Sequence, residues 1–257
     1  MKKKILFFDI DGTLYNSKKE IPQTTIEAVK KVKDNGHEVV IATGRAPFMI
    51  KEVLETLEVD SYVCFNGQYV VYKGQRISLK PVPLEQLKAL VKYVEKQDKP
   101  LVFLDNQEMV TSIPEHPEIK ESLTSLLYPM PRLDKDFYLT HPIYQVLLFV
   151  SIEEEEEYAK AFPKLQLIRW HTYSCDVLNK GVSKAYGIEQ LLGYTNFEMQ
   201  DAIAFGDGLN DVEMLTAVGT GVAMGNGHLK AKTAASFVTD HVDEDGLVKA
   251  MEKLHLV

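Results

Sequence analysis

Two short stretches of this chain end in carboxylates: Asp9 and Asp11 in ILFFDIDGTLYN, and Asp207 and Asp211 in AFGDGLND. In each, an apolar run that reads as a buried strand leads straight into acidic residues, a place where unpaired charge is costly. Hard oxygen ligands from Asp9, the Asp11 carbonyl and Asp207 would bind Mg²⁺, which offsets the cost of gathering like charges. A bound Mg²⁺ also lets an acidic site accept a phosphate ester. One carboxylate in line with the phosphorus can then act as the nucleophile. A second, two residues along the same strand end and therefore on the same side, can protonate the leaving alkoxide and afterwards activate water. Gly12 permits the tight backbone path out of the strand.

The elements that would carry these groups can be read from hydrophobic periodicity. Strand ILFF is followed by a helix opened by Pro22, with Ile26, Val29 and Val32 on one face and Gly36 as its stop. EVVIA at 38–42 reads as a second buried strand ending in ATGR, which delivers Thr43 and the Gly44 backbone to the same edge. From Ala46, the residues Ile50, Val53, Leu54 and Leu57 fall on the helical template, and SYVCF at 61–65 is a third strand. Residues 69–79 read as a β-hairpin with Gly74 in its loop. This alternation predicts an α/β fold: a mainly parallel, Rossmann-like sheet with helices on both faces and its ligand crevice at the carboxyl ends of the strands.

At Pro81-Val82-Pro83 the texture changes. A helix with Leu84, Leu87, Leu90, Val91 and Val94 is followed by short strands near 100–104 and 108–112, then a Pro-rich stretch through Pro131. YQVLLFVS at 144–151 is a strand, EEEEEYAKAF a helix, and LQLIRWH with SCDVL a pair of strands. That is α+β texture, so residues 82–182 are expected to form a domain inserted into a core made of 1–81 and 183–257. From Val182 the alternation resumes: a helix to Leu192, strand DAIAF, a helix after Asn210, strand TGVAM, a helix from Leu229, strand SFVTD and a last helix at 246–254.

DIDGT at 9–13, TG at 43–44, a lysine in GVSKAYG and GDGLND at 206–211, in this order and spacing, resemble the four motifs of the haloacid dehalogenase (HAD) superfamily. The insertion, with NG at 66–67 and the C-terminal VTDHVDEDGLVKAMEKL, is similar more narrowly to the Cof-type phosphatases. The resemblance implies an aspartyl-phosphate formed on Asp9, with Asp11 as general acid and base. It implies Thr43 and the Gly44 amide on phosphoryl oxygens, with Asn210 on the phosphate. Substrate contacts would come also from Ile10, Arg45 and Asn66. Asp9, Asp11, Asp207 and Asp211 form the implied metal site, Asp211 through a metal-bound water. For the charge-neutralising lysine, Lys184 matches the GVSK pattern better than Lys180. The insertion resembles the family's α+β cap, which supplies substrate contacts.

Taken singly, these residues have plainer readings. Asp-Gly is an ordinary turn signal, Thr43-Gly44 a strand-to-helix turn, Lys184 a solvated helix lysine and Asn210-Asp211 a helix cap. Joint occurrence at strand ends favours chemistry. The run Glu153 to Glu157 points all round a helix and reads as a solvated helix start, Trp170-His171 as a packed aromatic beside a surface His, and the other histidines lack metal-ligand spacing.

The 257 residues carry a net charge of −8, and no long Lys/Arg cluster suggests a nucleic-acid partner. The apolar stretch after Met1-Lys2-Lys3-Lys4 is too short for a signal peptide, and no run approaches membrane-spanning length. Cys64 and Cys175 are expected to be reduced and buried. These features predict a cytoplasmic protein, monomeric or a weak homodimer; the motifs and the resemblance together imply a Mg²⁺-dependent phosphatase of small phosphorylated metabolites, and the resemblance alone suggests sugar phosphates, pyridoxal phosphate or a flavin mononucleotide among them. A phosphomutase of the same superfamily and a non-catalytic metabolite sensor are the alternatives. A phospho-accepting receiver domain would be about half as long.

Overall fold

The computed structural model describes residues 2–126 and 128–257; Met1 and Leu127 lie outside the described residues. By contacts the chain divides into two compact units, residues 1–45, 49–79 and 182–257 in the first, and 46–48 with 80–181 in the second.

The first unit begins with strand β1 (Ile5–Phe8), helix α1 (Gln23–Asp34), strand β2 (Glu38–Ala42), helix α2 (Lys51–Leu57) and strands β3 (Tyr62–Cys64), β4 (Tyr69–Tyr72) and β5 (Gln75–Leu79). The second unit follows with α3 (Leu84–Glu95), β6 (Leu101–Leu104), β7 (Met109–Thr111), α4 (Pro117–Ser125), β8 (Arg132–Leu133), β9 (Gln145–Phe149), α5 (Glu155–Ala161), β10 (Leu165–His171) and β11 (Ser174–Asn179). The chain then returns to the first unit through α6 (Lys184–Leu192), β12 (Ala202–Gly206), α7 (Val212–Ala217), β13 (Thr220–Ala223), α8 (Leu229–Ala234), β14 (Phe237–Val238) and α9 (Gly246–Lys253).

The first unit's sheet has the order β14-β13-β12-β1-β2-β3-β4-β5, parallel from β14 to β3 and antiparallel through the hairpin β4-β5. Its central strands are apolar on both faces because both are covered. Ile5 and Phe7 of β1 share a cluster with Val40, Ala42, Ile188, Leu191, Met214 and Leu215, whereas Leu6 and Phe8 alternate to the opposite face. There Phe8 stacks on Phe205 with ring centroids 4.8 Å apart. With β1 beside both β2 and β12, the residues that follow those three strands emerge together at one edge.

The second unit is a sheet of order β10-β11-β9-β6-β7-β8, antiparallel except for β7-β8. Leu87, Leu90 and Val94 of α3 and Tyr158 of α5 cover one face over Phe103, Val146, Leu148 and Val177. Two expectations are corrected here. The segment read as a Pro-rich stretch contains α4, because Pro117 occupies a first-turn position where its missing N–H costs nothing, and Ile119 and Leu123 bury one face. The glutamate run is not wholly solvated: Glu154 pairs with Lys99 at 2.8 Å, and Glu155 pairs with Arg169 and accepts from the Cys175 thiol. His171 is half-buried, with Nδ1 3.0 Å from the Ser122 hydroxyl. Cys64 and Cys175 are free and buried, and burial raises both thiols. Among the described residues no helix is long and apolar enough to cross a membrane.

Candidate active site

Strand β1 ends at Phe8, and the Asp9 amide still donates to the Phe205 carbonyl at 3.0 Å, holding Asp9 beside the end of β12. The chain then turns sharply: the Ile10 carbonyl accepts the N–H groups of Thr13, Leu14 and Tyr15. Gly12 sits at φ +79°, where a Cβ would lie 2.4 Å from Asp207 Oδ2. Only glycine lets the two acidic loops approach this closely. Thr13 Oγ1 donates to Asp207 Oδ1 at 3.2 Å, and Asn226 Nδ2 donates to the Gly12 carbonyl at 2.8 Å while its Oδ1 accepts the Val242 amide.

After β12, Asp211 turns one oxygen back to accept the amides of Asp207 and Gly208 at 2.9 and 2.8 Å, which is the capping role its position suggested. Its other oxygen faces Lys184. The Lys184 ammonium is fully buried and lies 2.6 Å from both Asp9 Oδ1 and Asp211 Oδ1. A cation in the first turn of a helix opposes the helix dipole by about 0.3–1 kcal/mol, whereas breaking a buried ion pair costs about 3–5 kcal/mol. The ion pairs therefore decide where this lysine sits. Lys180 is exposed and belongs to the second unit.

Asp9, Asp207 and Asp211 each offer an oxygen within 4.8 Å of the others, and the Lys184 ammonium pairs with Asp9 and Asp211. Three carboxylates against one ammonium leave an excess of negative charge, and it shows in the acidity of Asp9 and Asp207. Burial, with the neighbouring carboxylates adding to it, raises Asp9 well above the usual range despite Lys184, and raises Asp207 to about 6. Asp211 has both oxygens engaged. Asp9 and Asp207 each commit one and offer the other, so a hard divalent cation fits the donor set and the charge.

At the end of β2, the Thr43 hydroxyl accepts the Arg45 amide at 3.1 Å and the Thr43 carbonyl accepts the Asn66 amide at 3.1 Å. The third strand stops at Cys64, earlier than its apolar run suggests, because Phe65 and Asn66 both turn left-handed at φ +51°. That turn brings the Asn66 side chain over Gly44 and within 3.2 Å of Asn210 Nδ2. Gly67, at φ +105°, seats the turn on the first turn of α6: a Cβ there would lie 2.2 Å from the Ser183 carbonyl oxygen. Gly67→Ala should therefore destabilise the chain by about 2 kcal/mol in denaturant unfolding. A cost below about 0.5 kcal/mol would show that the turn and α6 separate easily.

The expectation that Asp11 shares Asp9's side of a strand is corrected, since β1 has ended before either residue. Asp11 is instead gripped by Arg45, whose Nε and Nη2 each donate at 2.7 Å to its two oxygens. Burial alone would raise Asp11, but the Arg45 guanidinium and the Lys19 ammonium outweigh it and hold the carboxyl below its ordinary value. The Ile10 side chain is fully buried, so any ligand contact it makes is through its backbone amide. Asp9, Lys184, Asp207 and Asp211 thus form one cluster, Thr43, Gly44, Asn66 and Asn210 a second, and Asp11 with Arg45 a third. Sequence reasoning missed Asn226, Thr13 and Lys19. The Gly-Asn-Gly at 225–227 was a usable turn signal for Asn226.

The family model for haloacid dehalogenase-like hydrolases matches residues 6–251. The chain belongs to this family. The putative phosphatase YkrA of Bacillus subtilis is 44% identical over 257 residues, covering 100% of both chains. The structure of the HAD subclass IIB sugar phosphatase BT4131 superposes with a TM-score of 0.89 at 32% identity, over 99% of this chain and 100% of that one. The 5-amino-6-(5-phospho-D-ribitylamino)uracil phosphatase YitU of Bacillus subtilis is 28% identical over 98% of this chain and 97% of its own length. The chain is a HAD-like hydrolase of the Cof-type phosphatase group, and its α/β architecture is that of these enzymes.

Proposed function

We propose that this hydrolase is a Mg²⁺-dependent phosphomonoesterase acting on small phosphorylated metabolites through a phosphoryl group carried on Asp9. The observation that carries the reading is the trio of carboxylates Asp9, Asp207 and Asp211 at one strand edge, with the buried Lys184 ammonium paired to Asp9 and Asp211. Asp9 attacks phosphorus; the ester P–O bond breaks, and the leaving oxygen takes a proton from Asp11, which acquires it from solvent once the anionic ester draws the Arg45 guanidinium away. Water then attacks phosphorus, gives its proton to Asp11, and the bond to Asp9 breaks, releasing inorganic phosphate. Lys184 draws charge from the transferring group and fixes the Asp9 carboxylate. The Thr43 hydroxyl, the Gly44 amide and Asn210 bind phosphoryl oxygens, while Ile10, Arg45 and Asn66 address the substrate. Asp9, Asp207 and the Asp11 carbonyl would hold Mg²⁺, with Asp211 acting through a water because both its oxygens are engaged. When bound, the cation supplies the positive charge that lets an anionic ester enter an acidic site.

The inserted segment 82–182 is assigned the choice of substrate. The names of two relatives share a chemistry, a sugar phosphate and a phosphorylated ribityl chain, so phosphate esters on polyhydroxylated carbon are the first class to test, with pyridoxal phosphate and flavin mononucleotide beside them. Phosphate release should stop in EDTA and return with excess Mg²⁺. The same Mg²⁺ should raise the melting temperature without substrate, since saturating a site at a hundred times its Kd adds about 2.7 kcal/mol. The cation should bind less tightly below pH 6, where protons compete for Asp207, raised to about 6. Turnover unaffected by EDTA would refute the cation's role.

A further inference from the structure

At the amino-terminal edge of the first unit's sheet, away from the acidic cluster, lies a cavity of about 520 Å³, a volume typical of small-molecule sites. Lys3 precedes β1, Glu38 opens β2, Tyr72 ends β4, and Tyr194 and Phe197 belong to the segment after α6, so separate stretches of chain build its walls. Glu38 is the centre of its charge. The ammonium groups of Lys3 and Lys73 both donate to Glu38 Oε1, at 2.8 and 3.1 Å, and the Tyr72 hydroxyl donates to Oε2 at 2.6 Å. Lys2 pairs with Asp201 at 2.6 Å, so the three lining lysines face two carboxylates and one positive charge is left over. That excess sits in a chain of net charge −8. The walls are aromatic. Tyr194, 57% exposed, meets Tyr72 edge-on with ring centroids 6.3 Å apart and donates its hydroxyl to Gln75 at 3.2 Å. Lys73 Nζ lies 4.9 Å from the Tyr72 ring centroid, and Lys3 Nζ lies 5.6 Å from that of Phe197. The turn that carries Lys73 is fixed in place, its amide donating to the Ser61 hydroxyl and the Gly74 amide to the Asp60 carbonyl, each at 2.9 Å.

We propose that this cavity binds a small planar aromatic anion, a ring system of purine size carrying a phosphate or another strongly acidic group. An exposed ion pair is worth about 0–1 kcal/mol, so Glu38 holds neither lysine firmly. When one of them swings to a ligand's anion, the other lysine and the Tyr72 hydroxyl stay on Glu38, and the carboxylate is not left bare. The ring packs on Tyr194 and Phe197, aromatic faces that already stand beside the ammonium groups. The occupant is a ligand rather than a substrate, because the carboxylates that could attack phosphorus follow the opposite ends of β1 and β12. The site therefore stands whether or not Asp9 carries a phosphoryl group.

The test measures binding to the full chain by calorimetry, with Mg²⁺ present. The probes are cyclic AMP, a phosphodiester that a phosphomonoesterase leaves whole, and naphthalenedisulfonate, which contains no phosphorus. Each should bind with a Kd of about 1 mM or below, and adenosine, which lacks the anion, should bind about tenfold more weakly than cyclic AMP. Tyr194→Ala, and the double variant Lys3→Gln with Lys73→Gln, change exposed positions, so each should weaken both probes about tenfold while turnover and melting temperature stay close to wild type. Excess inorganic phosphate, which fills a phosphatase's own site, should leave both affinities unchanged at matched ionic strength. Failure of either probe to bind below about 5 mM would overturn the inference. So would an affinity unchanged in either variant, adenosine binding as tightly as cyclic AMP, or displacement of the probes by phosphate.

Discussion

Asp9→Asn should abolish phosphate release, by at least about 10⁴-fold in kcat, while leaving the metal-free chain as stable as wild type or more so. The two halves follow from one side chain. As an amide the residue cannot take up phosphorus, and the remaining machinery has no second carboxylate to substitute: Asp11 is held by Arg45 and Lys19, and Asp211 has both oxygens engaged. Stability behaves differently because burial, reinforced by the carboxylates of Asp211, Asp207 and Asp11, raises Asp9 well above the usual range even beside Lys184. A carboxyl whose folded-state pKa exceeds its unfolded value of about 3.9 stabilises the fold fully below that value, and the contribution is lost as pH rises through the folded pKa. Above the ordinary carboxylate range the wild type therefore carries a cost of burying Asp9 that the amide avoids. The difference in melting temperature between variant and wild type, measured without metal, should shrink as pH falls toward 4. Mg²⁺ should stabilise the wild type more than the variant, which has lost a charged ligand. Residual turnover above about 1% of wild type would remove Asp9 from the nucleophile's role.

The parts of this molecule that sequence reasoning reached are those in which one physical signal dominates. Strands β1 and β12 are continuous apolar runs, and β2 is apolar after Glu38, because helices cover both faces of the sheet. Helix α3 shows its spacing at Leu87, Leu90 and Val94 because only one face is buried. Where two signals compete, the stronger local one misleads. Pro114 and Pro117 masked α4, although Ile119 and Leu123 carried the helical spacing. The turn at Phe65 and Asn66 cut β3 short of its apolar run, since left-handed backbone in two non-glycine residues has no marker in composition. At the candidate site, the carboxylates could be picked out because acidic residues at strand ends are conspicuous, and their assembly follows from neighbouring parallel strands. The grip of Arg45 and Lys19 on Asp11 could not be picked out, because it depends on where the chain turns after Phe8 and on a loop geometry set by Asn16. Glu154 and Glu155 likewise find Lys99 and Arg169 only in three dimensions.

Replacing Lys184 should do more damage than any other single change at the cluster. Lys184→Met keeps the volume and removes the ammonium, leaving Asp9 and Asp211 buried without the cation 2.6 Å from each. Removing one partner of a buried ion pair costs about 3–5 kcal/mol, and a large part of typical domain stability would go with it. The burial of Lys184 makes this a core defect rather than a surface one, since surface pairs are worth about 0–1 kcal/mol. Lys180→Met, at an exposed position, should be nearly silent in both stability and turnover. The sign of the pH dependence follows from the partners. The Lys184 ammonium is raised above its ordinary value, with burial opposing and the two aspartates prevailing, so its contribution is fully present below the unfolded lysine value of about 10.4 and is lost only at higher pH. Its removal is felt most while Asp9, which burial raises well above the usual range, is ionised. The stability gap between wild type and Lys184→Met in urea should be wider at pH 8 than at pH 4, as protonation of Asp9 at the lower pH removes one of the charges left unpaired. The double variant Lys184→Met with Asp9→Asn should recover part of the lost stability, because one buried charge goes with its partner, but none of the turnover. A gap that stays constant across this pH range, or a double variant less stable than Lys184→Met alone, would mean that Lys184 holds the fold through packing rather than through charge.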